Sequence, residues 1–169
     1  MSSEDDQEPW LNDGEQRAWR SYLLGTQLLL DRLDRDLRTE HGLTFAEYEV
    51  LVRLSEAPDH RLRMAVLAQS LCHSRSRLSH TVKRMQEVGL VQRCASADDG
   101  RGVFACLTDE GYSRLKQAAP SHARGVRDYL VNYVPASSLD SIKEIFDDVA
   151  NPLLGTRPES ADIRRTASD

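Results

Sequence analysis

Between residues 74 and 84 the chain sets out eight polar side chains that suit one kind of chemistry: Ser74, Arg75, Ser76, Arg77, Ser79, His80, Lys83 and Arg84. No acid interrupts them. Guanidinium, ammonium, imidazole and hydroxyl groups donate to phosphates and base edges, and an Arg can bond a guanine with two parallel N–H groups in the major groove. Leu78, Val82 and Met85 recur among them at steps of four and three, so the segment reads as a helix with one apolar stripe and one cationic face. Ser74 is a suitable N-cap, leaving helix-start N–H groups near a phosphate. A merely solvated basic face is the plainer alternative, and charge alone does not choose between the two.

The wider charge distribution sharpens the contrast. The 169 residues carry a net charge of -5, which argues weakly against polyanions. Residues 1–60 hold 14 acids against 6 Arg, whereas residues 61–93 hold Arg61, Arg63, Arg75, Arg77, Lys83, Arg84 and Arg93 against the single acid Glu87. The middle of an acidic chain is therefore built to attract negative charge. A further cation, Arg101, stands between Gly100 and Gly102, with β-rich stretches at 90–95 and 103–107 on either side. That pattern is a hairpin with a polar tip, and a narrow minor groove attracts an Arg projected in this way. Asp99 either braces a nearby Arg or forms an Asx-type turn; both readings stay open.

The elements that must hold these groups are mostly helical. Trp19, Tyr22, Leu23, Leu29, Leu30, Leu33 and Leu37 mark one long helix, capped by Asp13 and stopped at Gly42. Thr44 and Glu47 form a capping box for a second helix with core positions Phe45, Tyr48, Leu51, Val52 and Leu54. A short helix at 64–71 precedes the break Cys72-His73-Ser74, and the cationic helix runs on to Gly89. After the hairpin, Thr108 opens a helix reaching about residue 133. Pro135 breaks the chain, Ser137 or Ser138 caps, and Leu139, Ile142, Ile145, Phe146 and Val149 stripe a last helix. The long helices at the two ends have apolar stripes and little central material to bury them, so a symmetric pair of chains is the expected solution, with an internal bundle as the alternative.

Two helices joined by a three- or four-residue turn form a helix-turn-helix, here followed by a hairpin wing. Leu67-Ala68 through Arg93, then Asp99-Gly100-Arg101-Gly102 and Leu107-Thr108-Asp109-Glu110-Gly111, resembles the MarR (multiple antibiotic resistance regulator) family over nearly the whole chain. The most specific part is Asp-x-Arg-Gly followed by Leu-Thr-x-x-Gly. The resemblance implies a mainly α fold with a small β-hairpin wing: an N-terminal tail and dimerisation helix at 1–42, a winged helix-turn-helix at 43–108 and C-terminal dimerisation helices at 109–156, while residues 157–169 have the composition of a disordered tail. It implies a homodimer on a pseudo-palindromic operator of double-stranded DNA, usually a repressor relieved by a small aromatic or anionic effector. By the same analogy Arg75 to Arg84 line the major groove, Arg101 enters the minor groove and Asp99 supports it. The chain departs from the family in having Cys72 where Gly is common at the turn.

Effectors in this family sit between the dimerisation helices and the DNA-binding lobe. Trp19, Tyr22 and Tyr48 are candidate aromatic walls, with Arg20 or Arg53 to meet a carboxylate; each also reads simply as core or surface. The urate-responsive branch pairs a first-helix Trp with an Arg one turn later, but Trp19 is followed by Leu23. Peroxide-responsive members carry a Cys near the start of the first long helix, and this chain has none there. Cys72, beside the basic helix start, is the candidate redox thiol, while Cys94 and Cys106 fall on opposite hairpin strands, across from each other in the expected pairing. Small filler residues are the plainer account of all three. An odd cysteine count without a C-x-x-C pair points to a cytoplasmic chain with reduced thiols and no zinc. An acidic start and the lack of a long apolar run argue against a signal peptide and a membrane span. No Gly-rich phosphate loop, His-Glu-x-x-His or nucleophile elbow appears, and five scattered His offer no dyad, so an enzyme, a metal or a cofactor is not expected. A winged-helix protein–protein adaptor would call for an acidic or apolar face at 75–84, and this one is neither.

Overall fold

A computed structural model of the chain describes residues 10–95 and 103–155. Helix α1 spans Asp13–His41. Its cap is Asn12 rather than the expected Asp13: Asn12 is extended, and its side chain accepts the N–H groups of Gly14 and Glu15 while Glu15 accepts that of Asn12 at 2.8 Å. Asp13 is already helical, so its carboxylate contributes charge at the helix start and not the cap. Gly42 ends α1 in the left-handed region at φ 65°, where glycine carries no steric cost. The Thr44–Glu47 capping box opens α2, Phe45–Glu56. Helices α3, Met64–Ser70, and α4, Arg75–Glu87, follow. Cys72, in the turn between them, has φ 53°, the conformation that suits the glycine common there in the resembled family.

The wing has one strand more than the sequence suggests. Arg61–Arg63 forms β1, Val91–Ala95 forms β2 and Val103–Leu107 forms β3, in the antiparallel order β1-β3-β2. The register pairs Cys94 with Phe104 and Gln92 with Cys106. The two cysteines are thus diagonal neighbours on one face, not directly opposite each other. At a Cα–Cα separation of 6.4 Å they are joined in a disulfide, which corrects the expectation of three reduced thiols.

Leu43, Val50, Leu51, Leu54, Leu67, Leu78, Val82, Met85 and Val91 are fully buried in one core shared by α2, α3, α4 and the sheet. Each such side chain contributes about 1.5–3 kcal/mol relative to exposure. The helix after the wing, α5, spans Asp109–Tyr129, and α6 spans Ala136–Gly155. Thr108 caps α5 by accepting the Gly111 N–H at 3.0 Å, and its hydroxyl donates to the Gly89 carbonyl at 2.7 Å. A Cβ on Gly111 would lie 2.0 Å from the Leu90 carbonyl oxygen. The Leu-Thr-x-x-Gly motif therefore ties the end of α4, the wing and α5 into one joint. Helix α6 begins directly after Pro135, ahead of the serines expected to cap it.

Helix α5 lies along α1, with Gly125 against Leu33, Tyr129 Oη donating to Asp36 at 2.8 Å, and His41 Nε2 2.6 Å from Ser121 Oγ. The N-terminal half of α1 and the outer face of α6 stay uncovered. Leu24, Leu28, Ile145 and Val149 are each more than half exposed. Among the described residues no helix is long and apolar enough to cross a membrane.

Candidate nucleic-acid interface

Burial of Leu78, Thr81, Val82 and Met85 fixes which way α4 faces. Arg75, Ser76, Arg77, His80 and Lys83 are left exposed on its outer side. Ser74 holds the helix start by accepting the Arg77 N–H at 3.2 Å. Two of the anticipated residues have partners inside the protein. Ser79 is half-buried and accepts a hydrogen bond from Arg93 Nη2 of β2 at 3.1 Å. Arg84 donates from Nε to Glu47 Oε1 at 2.7 Å, across 37 residues of sequence. Glu47 is buried, and its other oxygen accepts from the Thr44 N–H and hydroxyl at 2.7 and 2.9 Å. One carboxylate thus caps α2 and clamps α4 to it. Asp99 and Arg101 lie outside the described residues.

Two clefts flank α4. One, of about 430 Å³, opens towards the wing and is lined by Arg63, Met64, Ala65, Arg75, Ser79, Arg93 and Val103. Three guanidinium groups around one hydroxyl make it a strongly cationic recess of a kind that suits a phosphate. The convergence of Arg63 and Arg93 on Arg75 is not visible in the sequence. Arg93 was legible as part of the basic segment, but its position beside Ser79 depends on how the wing folds back on α4.

The other cleft, of about 420 Å³, lies between α1, α2 and α4, with Leu30, Asp34, Arg38, Phe45, Glu49, Arg77 and Arg84 among its walls. Burial raises the Glu49 pKa, opposed by Arg53 and Arg77. At Asp34 burial pushes the other way from the Phe45 N–H and Arg38, which together win and leave its carboxyl below the ordinary value. The five effector candidates do not converge here. Trp19 and Tyr22 stack at 5.8 Å, with Phe146 of α6 5.6 Å from Tyr22. Tyr48 is buried 4.4 Å from the His122 ring, and Arg53 pairs with Glu56 at 3.6 Å. Arg20 donates to Gln16 on its own helix.

Two imidazoles are sequestered: Nδ1 of His73 and Nδ1 of His122 are buried without a partner. Burial holds both pKa values below the usual 6.5, and at His73 the Arg77 charge adds to the effect. Cys72 is exposed and free. Among the described residues no group of His, Cys, Asp and Glu is placed to hold a metal ion.

Comparison with known proteins agrees with this geometry. The MarR family profile matches residues 41–102. The chain is 42% identical to Sco3205 of Streptomyces coelicolor, a MarR family transcriptional regulator solved in complex with DNA, over 94% of this chain and 98% of that one, with a TM-score of 0.84. It is 39% identical to AbsC, another MarR family regulator of that organism, over 87% and 99% of the two chains, TM-score 0.82. The transcriptional repressor YetL of Bacillus subtilis is 29% identical over 54% of this chain. The match spans 55%, little more than half, of that curated relative.

Proposed function

The chain belongs to the MarR family of transcriptional regulators, and from that premise we propose that it acts as a homodimeric repressor on a pseudo-palindromic DNA operator. The observation that carries the reading is the outward, acid-free cationic face of α4, held in place by a fully buried apolar stripe. Arg75 and Arg77 at the helix start read base edges, His80 and Lys83 reach the backbone, and Arg101 of the wing enters the minor groove with Asp99 as its support. Arg84 serves by fixing the angle of α4 through Glu47. The uncovered apolar faces of α1 and α6 are the surface that a second copy buries, which spaces two reading helices about one DNA turn apart.

The cleft between α1, α2 and α4 suits a small aromatic acid. Phe45 offers a ring face, Arg77 offers charge, and a ligand wedged there would shift α4 relative to the dimerisation helix. The repressor reading is tested by footprinting DNA beside the chain's own gene. Protection of an inverted repeat, lost on raising salt, is expected; no protected repeat at low salt overturns it. Regulators of this kind work beside the chromosome, so the proposed location is the cytoplasm, and no catalytic role is assigned.

A further inference from the structure

We propose that Cys94 and Cys106 form a reversible redox site that sets how firmly the wing is held, the reacting partner being a low-molecular-weight disulfide or its dithiol counterpart. The inference rests on the reading that the wing touches DNA. The two cysteines lie on the paired strands β2 and β3, diagonal on one face, with a Cα–Cα separation of 6.4 Å inside the range that a disulfide spans without backbone movement. In sequence they bracket residues 96–102, which carry Asp99 and Arg101. A chain that works beside DNA shares a reducing compartment, where a protein disulfide is transient and tied to sensing or catalysis rather than to permanent stabilisation.

The surroundings suit exchange. Cys94 is partly buried and Cys106 is 8% exposed, so reagent reaches Cys94 first. Arg61 of β1 is registered opposite Cys106 on the other side of β3, with its guanidinium held by Asp59 at 3.5 Å. Oxidation begins when the Cys94 thiolate attacks one sulfur of the small disulfide, forming a mixed disulfide and releasing one thiolate. The Cys106 thiolate then attacks Cys94 Sγ and expels the second. Two electrons pass from the protein to the reagent, and the two protons end on the two released thiols. A dithiol reverses both steps.

Closing this link ties β2 covalently to β3 before DNA arrives, so the oxidised form has less to order between the two strands on binding. The oxidised regulator is expected to bind its operator roughly three- to tenfold more tightly than the reduced one, the cost of ordering about one long side chain.

The test uses the full chain carrying Cys72→Ser, equilibrated with oxidised glutathione or with dithiothreitol. Peptide mass mapping locates the link, and anisotropy measures affinity for the footprinted duplex. A 94–106 link that forms and reverses, with an affinity change absent from Cys94→Ser and from Cys106→Ala, supports the proposal. Two variants guard against a folding defect in either one. Both forms binding with equal affinity, or the absence of a 94–106 link under oxidation, overturns the redox site while leaving DNA recognition intact. Failure of both forms to bind any duplex overturns the regulator reading itself.

Discussion

At Gly111 the chain passes so close to the Leu90 carbonyl that even a methyl group has no room, and the contact is backbone, which cannot swing aside. Gly111→Ala is expected to cost about 3 kcal/mol, read as a lowered urea midpoint with an unchanged slope; an unaltered midpoint would contradict this account of the motif. The DNA-facing residues separate by role. Arg77→Ala should cost about 1–3 kcal/mol at one base position and relax the preference there, whereas Arg101→Ala should weaken binding chiefly at sites with A/T-rich flanks. Binding to a panel of single-base operator variants measures both. Equal, sequence-independent losses would mean that neither Arg reads the duplex as assigned.

The joint between α2 and α4 depends on Glu47, a buried carboxylate with three donors. Removing it strips a helix cap and frees Arg84, so Glu47→Ala should lower stability by about 1–3 kcal/mol and weaken DNA binding even though Glu47 does not face outward. Thermal melts alongside binding titrations check the pair; loss of neither would show the clamp to be idle. Between α2 and α5, His122 is packed against Tyr48 and Phe45. Burial depresses its pKa, as it does that of His73, so below the ordinary value of 6.5 the unfolded chain binds protons that the folded chain resists. Stability is therefore fully present above that pH, declines as pH falls towards the folded values, and has nothing further to lose below them. His122→Phe should flatten the decline in melting temperature between pH 7 and 5; an unchanged profile would remove His122 from it.

These joints also mark where sequence reasoning stops. Apolar periodicity marks α1, α2, α4 and α6, breaks and caps mark α3 and α5, and Thr44, Ser74 and Thr108 cap as their spacing implies, because those signals are local. Asn12 and Asp13 are equally good caps by type, and only the backbone angle at Asn12 decides between them. Arg61-Leu62-Arg63 is too short to show an alternation, so β1 becomes visible only when β3 pairs with it. The Glu47–Arg84 clamp, the Arg93–Ser79 contact and the diagonal placement of Cys94 and Cys106 all depend on register or on residues distant in sequence. The basic face of α4 was legible because one helix contains both its apolar anchor and its charge.

Taken whole, the protomer is a lobe with a buried core, attached to two helices whose apolar sides face water. Ile145 and Val149, one turn apart on α6, are 59% and 53% exposed. Ile145→Lys with Val149→Lys should convert a dimer to a monomer in sedimentation, and operator affinity should fall by orders of magnitude because a single reading helix loses its tethered twin. A wild-type chain that sediments as a monomer at micromolar concentration would remove the basis of the two-fold operator.

The most direct test of the cationic reading face is the salt dependence of affinity for the footprinted duplex, in wild type and in Lys83→Ala. The account predicts a linear fall of log affinity with log salt, and a slope shallower by about one for the variant, as expected for one lost phosphate contact. Affinity that barely responds to salt, or identical slopes in the two proteins, would contradict it.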